Sequence, residues 1–151
     1  MVGQLAAGVA AGAAGTVALN AATYLDMLAR GRQSSSVPAD AAGKLSDMAG
    51  VDLGDDDTSP NRREALGALL GLVTGLGVGA AYGLIRSRLD VPRAIAALGL
   101  AAAAMAGSDL PMTQLGLTDP REWDAASWIA DVLPHLAYGV AAAATFELFG
   151  E

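Results

Sequence analysis

Residues 64–86, EALGALLGLVTGLGVGAAYGLIR, carry the reading that decides the fold. Glycine returns at every fourth position, as Gly67, Gly71, Gly75, Gly79 and Gly83, and no charge falls between Glu64 and Arg86. In water each of these glycines would cost about 1 kcal/mol relative to alanine in a helix interior. A bilayer reverses that balance, because a backbone with no water to bond must satisfy its polar groups within the segment. A four-residue spacing then lines the glycines along one side of the helix, as a groove that a second helix can approach closely. The 21 uncharged positions of 65–85 extend about 31 Å at helical rise, the thickness of a hydrocarbon core.

The composition agrees with a membrane chain. Of 151 residues, 53% are hydrophobic and only 17% charged, against about 25% charged in ordinary soluble domains. Mean hydropathy is +0.40. The apolar residues are chiefly alanine and glycine, so each segment is weakly lipophilic and depends on its neighbours. Cysteine is absent, which removes disulfide and thiol chemistry. A net charge of −7 lacks the basic footprint that nucleic-acid binding requires.

Three further segments qualify as spans, giving 2–25, 65–85, 94–117 and 125–146. The expected fold is all-α: a single membrane domain over 1–151, a four-helix transmembrane bundle threaded up and down, with the glycine-striped helix second. The first segment lacks a basic region ahead of its apolar run, and Arg30 and Arg32 follow it, so it reads as a retained helix rather than a cleaved signal. The third is a crossing only if Asp109 is held inside it, since 15 uncharged residues separate Arg93 from Asp109. Gly8, Gly12 and Thr16 repeat the four-residue spacing on the first span, which makes that span the expected partner of the glycine groove; a seam between copies of the chain is the alternative.

The linker 30–63 is the one sizeable piece outside the spans. Pro38 sits where a first helical turn tolerates it, and Leu45, Met48 and Ala49 fall near one side, which predicts a short surface helix. Asp55, Asp56 and Asp57 follow, without the alternating ligands, glycine and closing glutamate of a calcium loop. The long-linker side carries Arg30, Arg32, Lys44, Arg62, Arg63 and Arg121, and the opposite side Arg86, Arg88 and Arg93. That asymmetry favours a cytoplasmic linker in a multi-pass protein of the cell membrane.

Up-and-down threading brings one polar layer together on paper: Asp26 at the end of the first span, Asp109 in the third, and Asp131 and His135 in the first turns of the fourth. Asp131 and His135 stand four apart and share a helix side. Asn20 and Thr23 lie at nearby depth, and Pro111 and Pro134 free the carbonyls of Gly107 and Ala130. Ionisable groups inside a bilayer cost about 2.5–3.5 kcal/mol on insertion scales and mark candidate functional positions. The layer reads either as an inward cluster for a cation or a proton, or as helix ends at the headgroups. Trp123, Trp128 and Tyr24 predict an aromatic belt at that level, with Tyr82, Phe146 and Phe149 at the other.

A catalytic signature is missing from the sequence. One histidine and no cysteine give no zinc site, the glycines lack the Lys-Ser/Thr ending of a phosphate loop, and no cofactor is implied. The segments AAGTVALNAATYLDMLARGR, the striped helix, AMAGSDLPMTQLG and TDPREWDAASWIADVLPHLAYG together resemble an uncharacterised family of small multi-pass integral membrane proteins of high-GC Gram-positive bacteria. That resemblance implies membrane location and no activity. The expected function is therefore a structural or accessory packing subunit, not an enzyme, whose partners are the lipid bilayer and itself or a larger membrane complex. A small proton- or cation-coupled transporter is the alternative. Labels placed in the 33–60 linker and at the C-terminus should report opposite membrane faces; labels on one face would remove a span.

Overall fold

The computed structural model describes residues 2–149. Four of its helices are long and apolar enough to cross a membrane: α1 (Val2–Arg30), α3 (Ser59–Arg86), α4 (Arg93–Gln114) and α5 (Ala125–Phe149). The linker folds as α2 (Val37–Ala49), and a short 3₁₀ turn at Pro120–Glu122 precedes α5. Each boundary has a local cause. Pro38 stands in the first turn of α2, and Gly50, at φ 67°, ends it with Val51 N donating to the Ser46 carbonyl at 2.9 Å. Asp55 accepts from the Thr58 N–H at 3.0 Å and its hydroxyl at 2.8 Å, which shapes the turn into α3. Asp124 caps α5 by accepting from Ser127 N at 2.7 Å.

The third span is shorter than its sequence reading. The helix stops at Gln114 rather than 117, because Gly116 takes the left-handed conformation (φ 69°) and Leu117 N turns back to the Met112 carbonyl at 3.0 Å. The other helices run past the expected limits, α1 to Arg30, α3 back to Ser59 and α5 to Phe149.

The four long helices run alternately up and down. Gln4, Gly8 and Thr16 of α1 lie against Gly83, Gly79 and Gly75 of α3, so the two are antiparallel. Gly15 meets Tyr138, and Arg30 donates to the Ala126 carbonyl at 3.3 Å, which sets α5 antiparallel to α1. Gly139 of α5 meets Ala97 and Ala101 of α4, and Glu147 pairs with Arg93 at 3.3 Å. Thus α1 lies between α3 and α5, and α4 closes the group against α5, with a smaller contact to α3. The core is built mainly of Ala7, Ala11, Ala96, Ala104 and Ala142 around Leu100, Tyr138 and Phe146.

Close backbone approach replaces bulk in this core. A Cβ added at Gly79 would strike the Gly8 carbonyl oxygen and stand 2.6 Å from Gly12 Cα, and one at Gly12 would stand 2.9 Å from Leu76 Cα. The expected partner of the groove is thus the observed one. The five glycines do not act alike, however. Gly75, Gly79 and Gly83 face α1, Gly67 lies under the Pro38 carbonyl of α2, and Gly71 is open, with nothing near its side-chain position. Successive steps of four advance 40° beyond one turn, so a row of five glycines winds away from a straight partner.

The linker helix forms as expected and packs by its small residues. Ala41, Ala42, Gly43 and Ser46 are buried against α3, while Leu45 and Met48 are exposed. Gly43 lets the Arg63 side chain lie across it, and that small-residue contact, not the larger apolar side chains, sets which side turns inward. Lys44 then reaches the Leu115 carbonyl at 2.5 Å and fastens α2 to the end of α4.

Gly79→Leu should therefore drive α1 and α3 apart and destabilise the bundle by about 1–3 kcal/mol or more, while Gly71→Leu should leave stability nearly unchanged. Unfolding of both variants in the same detergent measures the contrast, and equal losses would mean that the seam lies elsewhere.

Candidate functional site

Tyr138 fixes the level of the site. It is the largest fully buried side chain, its ring covers Gly15, and its hydroxyl donates to the Gly75 carbonyl at 2.6 Å. Gly75 is the midpoint of the uncharged run 65–85, so this bond stands near mid-depth. A buried phenol requires a partner, and a helix carbonyl bared by glycine provides one. Nothing in periodicity singled out Tyr138; its one signal was a tyrosine directly before Gly139 in a helix otherwise rich in alanine.

His135 stands three residues closer to the start of α5, about 4.5 Å of helical rise toward the long-linker side. It is buried, and its Nδ1 lies 2.8 Å from the Asp131 carbonyl and 3.5 Å from Asp131 Oδ1. A carbonyl can only accept, so Nδ1 carries the hydrogen and, in the neutral ring, Nε2 is left as the acceptor. Ser108 Oγ of α4 faces that nitrogen at 3.4 Å. The same hydroxyl lies 3.1 Å from Asp109 Oδ1 and 2.9 Å from the Met105 carbonyl. One hydroxyl hydrogen thus has three acceptors within reach. Two helices therefore supply a linked series: Asp131, His135, Ser108, Asp109.

Of the four residues expected in the polar layer, the structure gathers three and excludes one. Asp26 accepts from Arg30 twice at 2.6 Å and from Arg32 at 2.5 Å. It closes the end of α1, where two nearby guanidinium groups draw its carboxylate away from the interior. Arg30 in the next turn was the signal for this. Asn20 is exposed and takes no place in the layer. Ser108, which joins the two helices, was not singled out in the sequence; its position beside Asp109 was the available sign.

The aromatic side chains pair within each end of the bundle. Trp123 and Trp128 pack edge to face at 5.0 Å, and Trp123 Nε1 donates to Thr118 Oγ1 at 2.8 Å. At the far level Tyr82 and Phe146 meet edge to face at 4.9 Å, but Phe146 is buried and packs the bundle, while Phe149 is exposed. In the loop before α5, Arg121 beside Asp119 holds that carboxyl down to about 2. Among the described residues, no group of three or more His, Cys, Asp or Glu side chains is placed to hold a metal ion.

No protein family, curated protein or solved structure matches this chain. The chemistry must be read from its own geometry.

Tyr138→Phe should cost about 1 kcal/mol by removing one hydrogen bond, and Tyr138→Ala about 3–5 kcal/mol by opening a cavity at the junction of α1, α3 and α5. Reversible unfolding in bicelles checks both; equal effects would show that the hydroxyl dominates and the ring does not.

Proposed function

We infer that the chain acts in a cell membrane as a multi-pass packing subunit, structural or accessory, which joins copies of itself or a larger membrane complex. The observation that carries this reading is on the outward surfaces of α3 and α4. Gly71 and Gly77 on α3 and Gly99 on α4 have nothing within 4 Å of where a Cβ would stand. Leu69, Leu72, Val73, Ile95 and Leu98 on the same helices are exposed. An outward leucine gains contact with acyl chains, whereas an outward glycine gains little from lipid and weakens the helix. Its use in a bilayer is to admit another helix at short distance. The reading assigns the chain no catalytic chemistry.

A second reading, proton- or cation-coupled transport, is favoured by the Asp109, Asp131 and His135 group. Against it stands the other half of the bundle, where Tyr138, Ala142, Ala143 and Phe146 are buried and apolar packing continues. A transported ion would meet mainly apolar side chains there.

Single-molecule counting in phosphatidylcholine bilayers tests the packing role. The chain should associate with itself, or co-purify at fixed stoichiometry with a membrane partner, and Gly77→Leu or Gly99→Leu should weaken that association at least tenfold, about 1.4 kcal/mol. A folded chain that stays alone in both settings would end the reading. Proton flux in vesicles, silenced by Asp109→Asn alone, would put the second in its place.

A further inference from the structure

The loop between α4 and α5 folds around an open cleft of about 340 Å³, lined chiefly by Thr113, Leu117, Thr118, Asp119, Arg121 and Glu122. That volume is at the small end of the range for small-molecule sites, about 300–1,000 Å³. Its neighbours set its depth. Trp123 and Trp128 pack together directly after it, and such rings collect at the level of the lipid headgroups. Thr113 stands in the last turn of α4, where the span ends.

The charges of the cleft define what it can hold. Asp119 grips Arg121 through Nε at 2.9 Å and Nη2 at 2.7 Å, so the two cancel and the guanidinium plane is fixed. Nη1 is left with its hydrogens unengaged. The Glu122 side chain makes no hydrogen bond or ion pair among the described residues, so the cleft carries one net negative charge. The C-terminus of α4 adds a partial negative charge at the same end. Thr118 Oγ1 accepts from Trp123 Nε1 at 2.8 Å and keeps its own hydrogen to donate. Thr113 supplies a second hydroxyl.

An occupant that uses all of these groups brings an N–H cation to Glu122 and an acidic oxygen to Arg121 and the threonines. A simple anion meets the negative charge, and a simple cation leaves Arg121 unused. A quaternary ammonium has no N–H to offer, and no aromatic ring lines the cleft to receive it. Leu110 lies one turn deeper than Thr113 on the same side of α4 and is 60% exposed. An acyl chain hanging from the cleft would run along it.

We propose that this cleft binds the headgroup of an ethanolamine phospholipid, with its ammonium on Glu122 and its phosphate on Arg121 and the hydroxyls of Thr113 and Thr118. The bound lipid joins the end of α4 to the start of α5 and sits on the long-linker side alone. The site rests on the membrane location of the chain; it goes beyond the packing role and needs no protein partner.

Lipid retention tests the proposal. The whole chain is placed in vesicles of equal parts phosphatidylethanolamine, phosphatidylcholine and phosphatidylglycerol, extracted in mild detergent, and its retained lipid counted by native mass spectrometry. Phosphatidylethanolamine should be retained roughly tenfold over either competitor. Glu122→Gln and Arg121→Gln should each bring that enrichment close to bulk composition. Both side chains are exposed, and an unchanged helical circular dichroism spectrum verifies the fold. Glu122→Arg should turn the preference toward phosphatidylglycerol, a gain that damage to the fold would not produce. Free phosphoethanolamine at millimolar concentration, added to the chain in phosphatidylcholine vesicles, should leave the emission of Trp123 and Trp128 unchanged. Equal retention of the three lipids, a wild-type preference for phosphatidylglycerol, or enrichment that survives both glutamine variants would each overturn the assignment. A saturable emission change with free phosphoethanolamine would overturn it too, by giving the cleft to the soluble compound.

Discussion

The backbone contact of α1 with α3 is the constraint on which the rest of the structure depends. Where Gly8 and Gly12 meet Gly75, Gly79 and Gly83, neither helix has room for even one methyl group. Dispersion falls off steeply with separation, so contact at this distance compensates for side chains that bring little bulk of their own. It also exposes the Gly75 carbonyl to Tyr138, whose ring fills the space over Gly15 and brings α5 to the pair. The α5–α4 seam repeats the device at Gly139. A core composed so largely of alanine holds together because its helices stand close.

The sequence was legible where chemistry repeats. Uncharged runs marked the four long helices, and the matching spacing of Gly8, Gly12 and Thr16 marked the partner of the groove. It was less legible where position on the helix circumference decides the outcome. Gly67 and Gly71 belong to the same row as Gly75, yet one meets α2 and the other meets nothing, because the drift of a four-residue step is not visible without the partner. The surface helix was legible, but its inward side was not: close fit at Gly43 selects it, and Leu45 and Met48 stay exposed.

The polar group shows the same limit in electrostatic form. Depth placed Asp26, Asp109, Asp131 and His135 near one layer, with Asp26, four residues before Arg30, nearest the headgroups. The nearest guanidinium groups complete the separation, since Arg30 and Arg32 claim Asp26 while, among the described residues, no Lys or Arg side chain pairs with Asp109 or Asp131. Ser108 and Tyr138 went unmarked because a hydroxyl becomes meaningful only when its acceptor, a carbonyl or ring nitrogen on another helix, is known. Both are long-range contacts that local pattern does not encode.

The unbroken course of α3 has a mechanical consequence. From Ser59 to Arg86 it is a single helix, and a helix is stiff against bending over such a length unless proline or an inserted group interrupts it. Its first turns are clasped by α2, through Arg63 over Gly43 just outside the uncharged run and Pro38 over Gly67 at its edge, while Gly75 to Gly83 lie deeper within it. A torque applied to the linker domain is therefore delivered to the α1 seam as rotation about the helix axis. There a turn of one residue would bring Leu76 or Ala80 where glycine now stands, so the seam acts as a rotational stop.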